Sequence, residues 1–118
     1  MISGPAGTIP IQAIEQIHGR ISSLGFRTHN LAYCNDVSGL PEKALAHLEG
    51  LEVLVVDALR YDPHPSHSHL DQTLKWIELL KPKRAVLTNL HIDMDYQSLR
   101  AELPSNVEPG YDGMEIEL

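Results

Sequence analysis

The chain has 118 residues, 42% of them hydrophobic, and a formal charge of −7, which is room for one domain or for one half of a larger one. Its acidity argues against broad nucleic-acid binding, which needs a basic surface, and no apolar run approaches the roughly 20 residues that cross a bilayer. Cys34 is the only cysteine, which excludes an internal disulfide and a thiolate zinc knuckle; with no basic-then-apolar leader, a reducing cytoplasm is the expected location.

Met1 to Gly7 carries two glycines and a proline and is expected to be an irregular lead-in. Ile9, Ile11 and Ala13 alternate with polar or proline positions, the pattern of a strand. Ile21 to Thr28 and Asn30 to Asn35 are further strand candidates. Gly19 and His29-Asn30 stand between these candidates, so an antiparallel meander is expected. The pattern changes at Asp36. Pro41 suits the first turn of a helix, Leu45 and Leu48 share a face, and Gly50 can end the helix in the left-handed conformation.

Leu51 to Ala58 is a β-branched run, apolar on both sides of its pleat, as in a strand buried on both faces. A histidine-rich loop follows, Arg60 to His69. Leu70, Leu74 and Ile77 then form the stripe of an amphipathic helix, with Leu80 near it. Ser68 and Asp71 have capping-box spacing, and Pro82 stops the helix. Arg84 to Thr88 predicts another buried strand, Tyr96 to Leu103 a short helix, and Met114 to Leu118 a last strand after a turn at Asp112-Gly113. Helices alternating with strands call for a layered α/β architecture, with ligand sites at strand ends and in the loops beyond them.

Polar, ligand-type side chains gather at such ends. His18 follows the first strand region, and Asp36 ends the Leu31-to-Asn35 strand. His64, His67 and His69 lie in the loop after the Val53-to-Ala58 strand, and His91 and Asp93 lie past Thr88. Neutral imidazoles with a carboxylate suit zinc or manganese, and a carboxylate can bridge two metals. Each residue also has a plainer use. Asp36 can cap the turn toward Pro41, Asp57 can pair with Arg60 or serve the local backbone, and Asp93 and Asp95 can favour the start of the next helix. His29 and His47 have no supporting pattern.

Together the stretches HGRISSLGFRTHNLAYCNDVSGLPEKAL, LEVLVVDALRYDPHPSHSHLDQTL, PKRAVLTNLHIDMDY and YDGMEIEL resemble the C-terminal half of metallo-β-lactamase-fold hydrolases. The branch they resemble most contains the phosphodiesterase that acts on phosphoribosyl 1,2-cyclic phosphate; the tRNA 3′-processing ribonucleases are more distant members. The resemblance implies an α/β chain, the C-terminal half of an αββα sandwich with a mixed sheet and helices on its outer face. It implies two divalent metal ions, zinc or manganese, and hydrolysis of a phosphodiester or cyclic phosphate in a small phosphorylated substrate.

Position by position, His18 matches a ligand of the first metal and Asp36 the aspartate that bridges both metals. His67 matches a non-ligand histidine that protonates the leaving group or stabilises transition-state charge. Relatives commonly read Thr-His where this chain has Thr88-Asn89. A gap-free match therefore puts Asn89 on the last ligand position, with His91 two residues beyond; the imidazole favours His91. Arg60, in the His67 loop, is a candidate contact to phosphate.

The His-x-His-x-Asp-His motif of the family's N-terminal half has no counterpart here. Residues 1–118 are therefore expected to form a partial domain that is weakly active alone and completed by the missing half or by a homodimer. Two other readings compete. One is a non-catalytic module of the same fold, and the other a self-contained metal site made of His64, His67 and His69.

Overall fold

The computed structural model describes residues 2–118. A small hairpin, β1 (Ile2–Gly4) and β2 (Gly7–Ile9), comes first. It is followed by β3 (Gln12–His18), β4 (Ile21–Thr28), β5 (Leu31–Cys34), helix α1 (Glu42–Ala46), β6 (Val53–Asp57), helix α2 (Leu70–Leu80), β7 (Arg84–Thr88), helix α3 (Tyr96–Glu102) and β8 (Val107–Pro109). Strands β3 to β8 form one six-stranded sheet in chain order. The first two pairings are antiparallel and the last three parallel. Two antiparallel steps bring the direction back, so β3, β5, β6, β7 and β8 all point the same way. Their C-terminal ends share one edge of the molecule, which is where the candidate ligands lie.

The antiparallel meander, the two central parallel strands and the three helices form where the pattern placed them. Other expectations are corrected. Ile2 and Ile9 pair across a hairpin where an irregular lead-in was expected; Met1 lies outside the described residues. The first strand of the main sheet runs from Gln12 to His18, so it ends on His18 instead of stopping at Ala13. Pro41 is the cap of α1, which is only five residues long. Ser68 and Asp71 form no capping box: the cap of α2 is His69, with no side-chain hydrogen bond. The Ser68 hydroxyl instead lies 2.5 Å from Thr73 Oγ1, which donates to the Asp57 carbonyl at 2.6 Å. The last strand is Val107–Pro109, not Met114 to Leu118. Arg84 on β7 pairs with Glu108 on β8, an ion pair that helps hold this short edge strand.

The helices cover one face of the sheet. Ile14, Ala32, Cys34, Leu54, Val56, Ala85 and Leu87 pack there against Leu48, Leu70, Ile77 and Leu99. The register carries Ala13, Phe26, Tyr33, Val55 and Val86 in a row across the opposite face. Residues of the C-terminal tail, Tyr111, Met114 and Ile116, line a hollow with Val55 and Val86. Toward β4 and β5 the face is open: Leu24, Phe26 and Tyr33 are 55%, 43% and 46% exposed. Among the described residues no helix is long and apolar enough to cross a membrane.

Cys34 is fully buried on the helix-covered face, and burial pushes its thiol up from 9.0 to about 12. The folded chain therefore holds this proton where the unfolded chain releases it. The resulting stability is complete below the unfolded value and is lost as pH rises from there through about 12. The expected outcome is that a maleimide at about pH 8 leaves the native chain unmodified and labels it fully once urea has unfolded it. Mass spectrometry reads both states, and rapid labelling of the native chain would contradict this burial.

Candidate metal centre

His18 is the last residue of β3, and Gly19 turns the chain immediately after it at φ +62°. A methyl on Gly19 would stand 3.1 Å from Ser66 Cβ, so a side chain here would crowd the approach of the 65–66 segment. That approach brings the Ser66 carbonyl within 2.6 Å of His18 Nδ1. A carbonyl only accepts, so Nδ1 carries the proton and Nε2 keeps its lone pair. This is the orientation by an outer partner that metal-binding histidines use.

Asp36 follows β5 in the left-handed conformation, φ +52°. Its side chain is half exposed, and its Oδ1 lies 4.0 Å from His67 Nδ1. His67 is held from beneath by Asp57, the last residue of β6, which is completely buried. Asp57 Oδ2 accepts from His67 Nδ1 at 2.8 Å and from the Val37 backbone N–H at 3.3 Å. The carboxylate thus ties the loop bearing His67 to the loop bearing Asp36. A further bond ties the same loops, from Ser68 N to the Val37 carbonyl at 2.6 Å, and one from Leu59 N to the Ser68 carbonyl at 2.9 Å closes the His67 loop on itself.

The structure brings together His18, Asp36 and His67, each offering one ligand atom within 4.8 Å of the others. Two imidazoles and a carboxylate at that spacing fit a divalent transition metal. The His18 and His67 rings meet edge to face at 4.9 Å, and the His64 ring lies 5.3 Å from His67. Desolvation, and then the Arg60 charge, hold His64 below its ordinary 6.5.

The other candidates lie elsewhere. His91 is outside the cluster; its Nδ1 accepts from the Asp93 N–H at 3.2 Å and stands 3.2 Å from the Asp93 carboxylate. Asn89, left-handed at the end of β7, reaches the site: its Nδ2 lies 3.3 Å from His67 Nδ1. The Arg60 guanidinium donates to the carbonyls of Asp62 and Pro63 in its own loop. His69 caps α2. For Asp57 the sequence leaves two uses open, a role in the site or a plainer one with Arg60 or the local backbone; its carboxylate bonds the Val37 N–H and, in the site, His67. The available signal was an acidic residue ending an otherwise apolar buried strand.

A family model described as the beta-lactamase superfamily domain matches residues 4–92. The chain belongs to that superfamily. Among solved structures, a diphosphatase from the PhnP family is similar, with a TM-score of 0.91 and 33% identity, over 93% of this chain and 44% of that one. The short form of human tRNase Z is 22% identical with a TM-score of 0.74, over 92% of this chain and 43% of that one. A curated Porphyromonas gingivalis protein named octanoyltransferase is 27% identical over 110 residues, 91% of this chain and 22% of that protein. Most of that protein therefore has no counterpart here. The chain spans less than half the length of each of these relatives. Members of the superfamily typically bind divalent metals, and the His18, Asp36 and His67 group supplies the residue types for that.

Proposed function

We propose that this chain is one half of a metal-dependent phosphodiesterase that hydrolyses a small phosphorylated substrate, a cyclic phosphate by preference. The observation that carries this reading is the convergence of His18, Asp36 and His67, with ligand atoms within 4.8 Å of one another, at the shared edge of the parallel strands. His18 and Asp36 would hold divalent metal, zinc or manganese, with Asp36 shared between two positions. Metal bound there lowers the pKa of water toward neutrality and polarises phosphoryl oxygens.

His67 donates Nδ1–H to Asp57, which leaves Nε2 free; having taken up a proton to form the imidazolium, it would give that proton to the departing oxygen. An imidazole suits that task because its pKa lies near neutral pH. Arg60 is the proposed phosphate contact from the same loop, once its guanidinium leaves the loop carbonyls. Asn89 and His91 are the alternatives for the second metal position. An imidazole is the better zinc ligand, so His91 is proposed.

These residues fall short of two complete metal positions. The remaining ligands are proposed to come from an N-terminal half of the fold, on a partner segment or a second copy, seated on the open sheet face. Asn89, where the family resemblance implies a histidine, favours a second reading, a non-catalytic module of the same fold.

The test is elemental analysis after purification without chelator, together with hydrolysis of bis(p-nitrophenyl) phosphate. Both are measured with and without the N-terminal half of a superfamily member supplied in trans. Less than one metal and no turnover alone, rising together when the half is added, is the expected result. Turnover that survives thorough metal removal would overturn the reading, and a folded assembly that never takes metal would favour the non-catalytic module.

A further inference from the structure

Gln16 sits where the pattern of β3 calls for an apolar residue. It shares the helix-covered side with Ile14, is 1% exposed, and is paired in register with Ser23 on β4. Its Nε2 donates twice, to Ser23 Oγ at 3.1 Å and to the Asn35 carbonyl at 3.0 Å. The Ser23 hydroxyl, accepting from Gln16, spends its own proton on the Asp36 carbonyl at 2.7 Å. The relay therefore runs from the Gln16 amide through the Ser23 hydroxyl to Asp36, and it pins the carbonyls of two successive residues at the turn.

This turn is left-handed. Asp36 is a non-glycine residue at φ +52°, a conformation that Asp tolerates better than most residues but that still gains from being held. Among the described residues the Asp36 carboxylate makes no hydrogen bond of its own; its nearest ring nitrogen is His67 Nδ1 at 4.0 Å, and the backbone decides from where the side chain sets out. The arrangement has a local cost. Gln16 Oε1 is buried with no partner, and a methyl on Gly25 would stand 2.5 Å from that oxygen and 3.2 Å from Cys34 Sγ. An apolar side chain would remove this orphaned acceptor but also the donor to the Asn35 carbonyl and Ser23 Oγ, so what glutamine gains here is the pair of bonds at the turn.

We infer that Gln16, acting through Ser23, is a positioning residue that aims the Asp36 carboxylate at the metal. The inference rests on Asp36 being a ligand, as proposed above. It predicts that fold stability and metal affinity separate. In Gln16→Met the two lost hydrogen bonds and the removed orphan acceptor oppose each other, so melting should shift only slightly, yet the Co2+ affinity of the assembled protein should fall about 10- to 100-fold, the usual effect of losing an outer partner of a ligand. Ser23→Ala should weaken Co2+ binding in the same direction.

The experiment is Co2+ titration of the full chain assembled with the N-terminal half supplied in trans, followed by visible absorption, beside thermal melts, with Asp36→Asn as control. If Asp36→Asn abolishes Co2+ binding while Gln16→Met and Ser23→Ala leave it unchanged, the positioning role is overturned and the metal reading stands. If the wild-type assembly takes no Co2+, or Asp36→Asn binds it as wild type does, the metal reading falls and this inference with it. Should Gln16→Met fail to fold, Ser23→Ala answers the same question, and unchanged affinity there overturns the inference.

Discussion

Asp36→Ala is expected to strip the assembled protein of divalent metal, whereas His67→Ala is expected to keep the metal and lose turnover. The two side chains lie only 4.0 Å apart at their nearest polar atoms, so equal effects would be the simple expectation from proximity. Their surroundings separate them. Asp36 is half exposed and without a hydrogen bond among the described residues, which leaves its full charge for a cation. His67 already gives one ring nitrogen to the buried Asp57. For Asp36→Ala the loss in metal affinity should exceed the about 10- to 100-fold typical of losing an outer-shell partner. For His67→Ala kcat should fall by about 100- to 10,000-fold, the range for removing a general acid. Elemental analysis and steady-state kinetics on the same preparations read both numbers. Equal metal loss in the two variants would make His67 a ligand, as its place in the cluster allows, and would end its assignment as proton donor.

The open sheet face gives the second large effect. Leu24, Phe26 and Tyr33 are about half exposed on adjoining strands, an apolar patch of the kind that marks an interface. Fully burying one such leucine or phenylalanine contributes about 1.5–3 kcal/mol. Phe26→Glu removes that gain and places a charge against an apolar partner. It is expected to weaken association, with the N-terminal half or with a second copy, by at least about 100-fold, while the chain's own melting temperature barely moves because the position is exposed. Sedimentation velocity over a concentration series measures the first and a thermal melt the second. Association unchanged in Phe26→Glu would mean that the partner sits elsewhere.

Much of this fold was legible because its strongest signals are local. The apolar run at Val53–Asp57 and the stripe of Leu70, Leu74 and Ile77 each announce their element and its burial. The hairpin of β1 and β2 announces nothing: its strands are short, and Ile2 and Ile9 are exposed. Met114 to Leu118 has a strand's alternation, but the edge beside β7 is taken by Val107–Pro109, and a strand needs a neighbour to pair with. The candidate site followed the same division. His18 and Asp36 stand at or just beyond strand ends, and His67 in the loop that leaves the end of β6, where direction and order make convergence foreseeable. Asp57 and Gln16 act through partners 10 and 19 residues away. No spacing rule encodes such contacts, and only the packed sheet reveals them.

The loop between β6 and α2 bears on how an ion would arrive. His18 grips it at Ser66, Asp57 grips it at His67, and backbone bonds fasten Ser68 to Val37 and Leu59. A loop sewn to its frame at so many points has little conformational freedom left to surrender. Metal uptake here should therefore differ from that of zinc-finger peptides, in which binding and folding are one event. Uptake should proceed as docking into a preorganised cradle, with a heat-capacity change near zero and a rate governed by how fast the ion sheds its water.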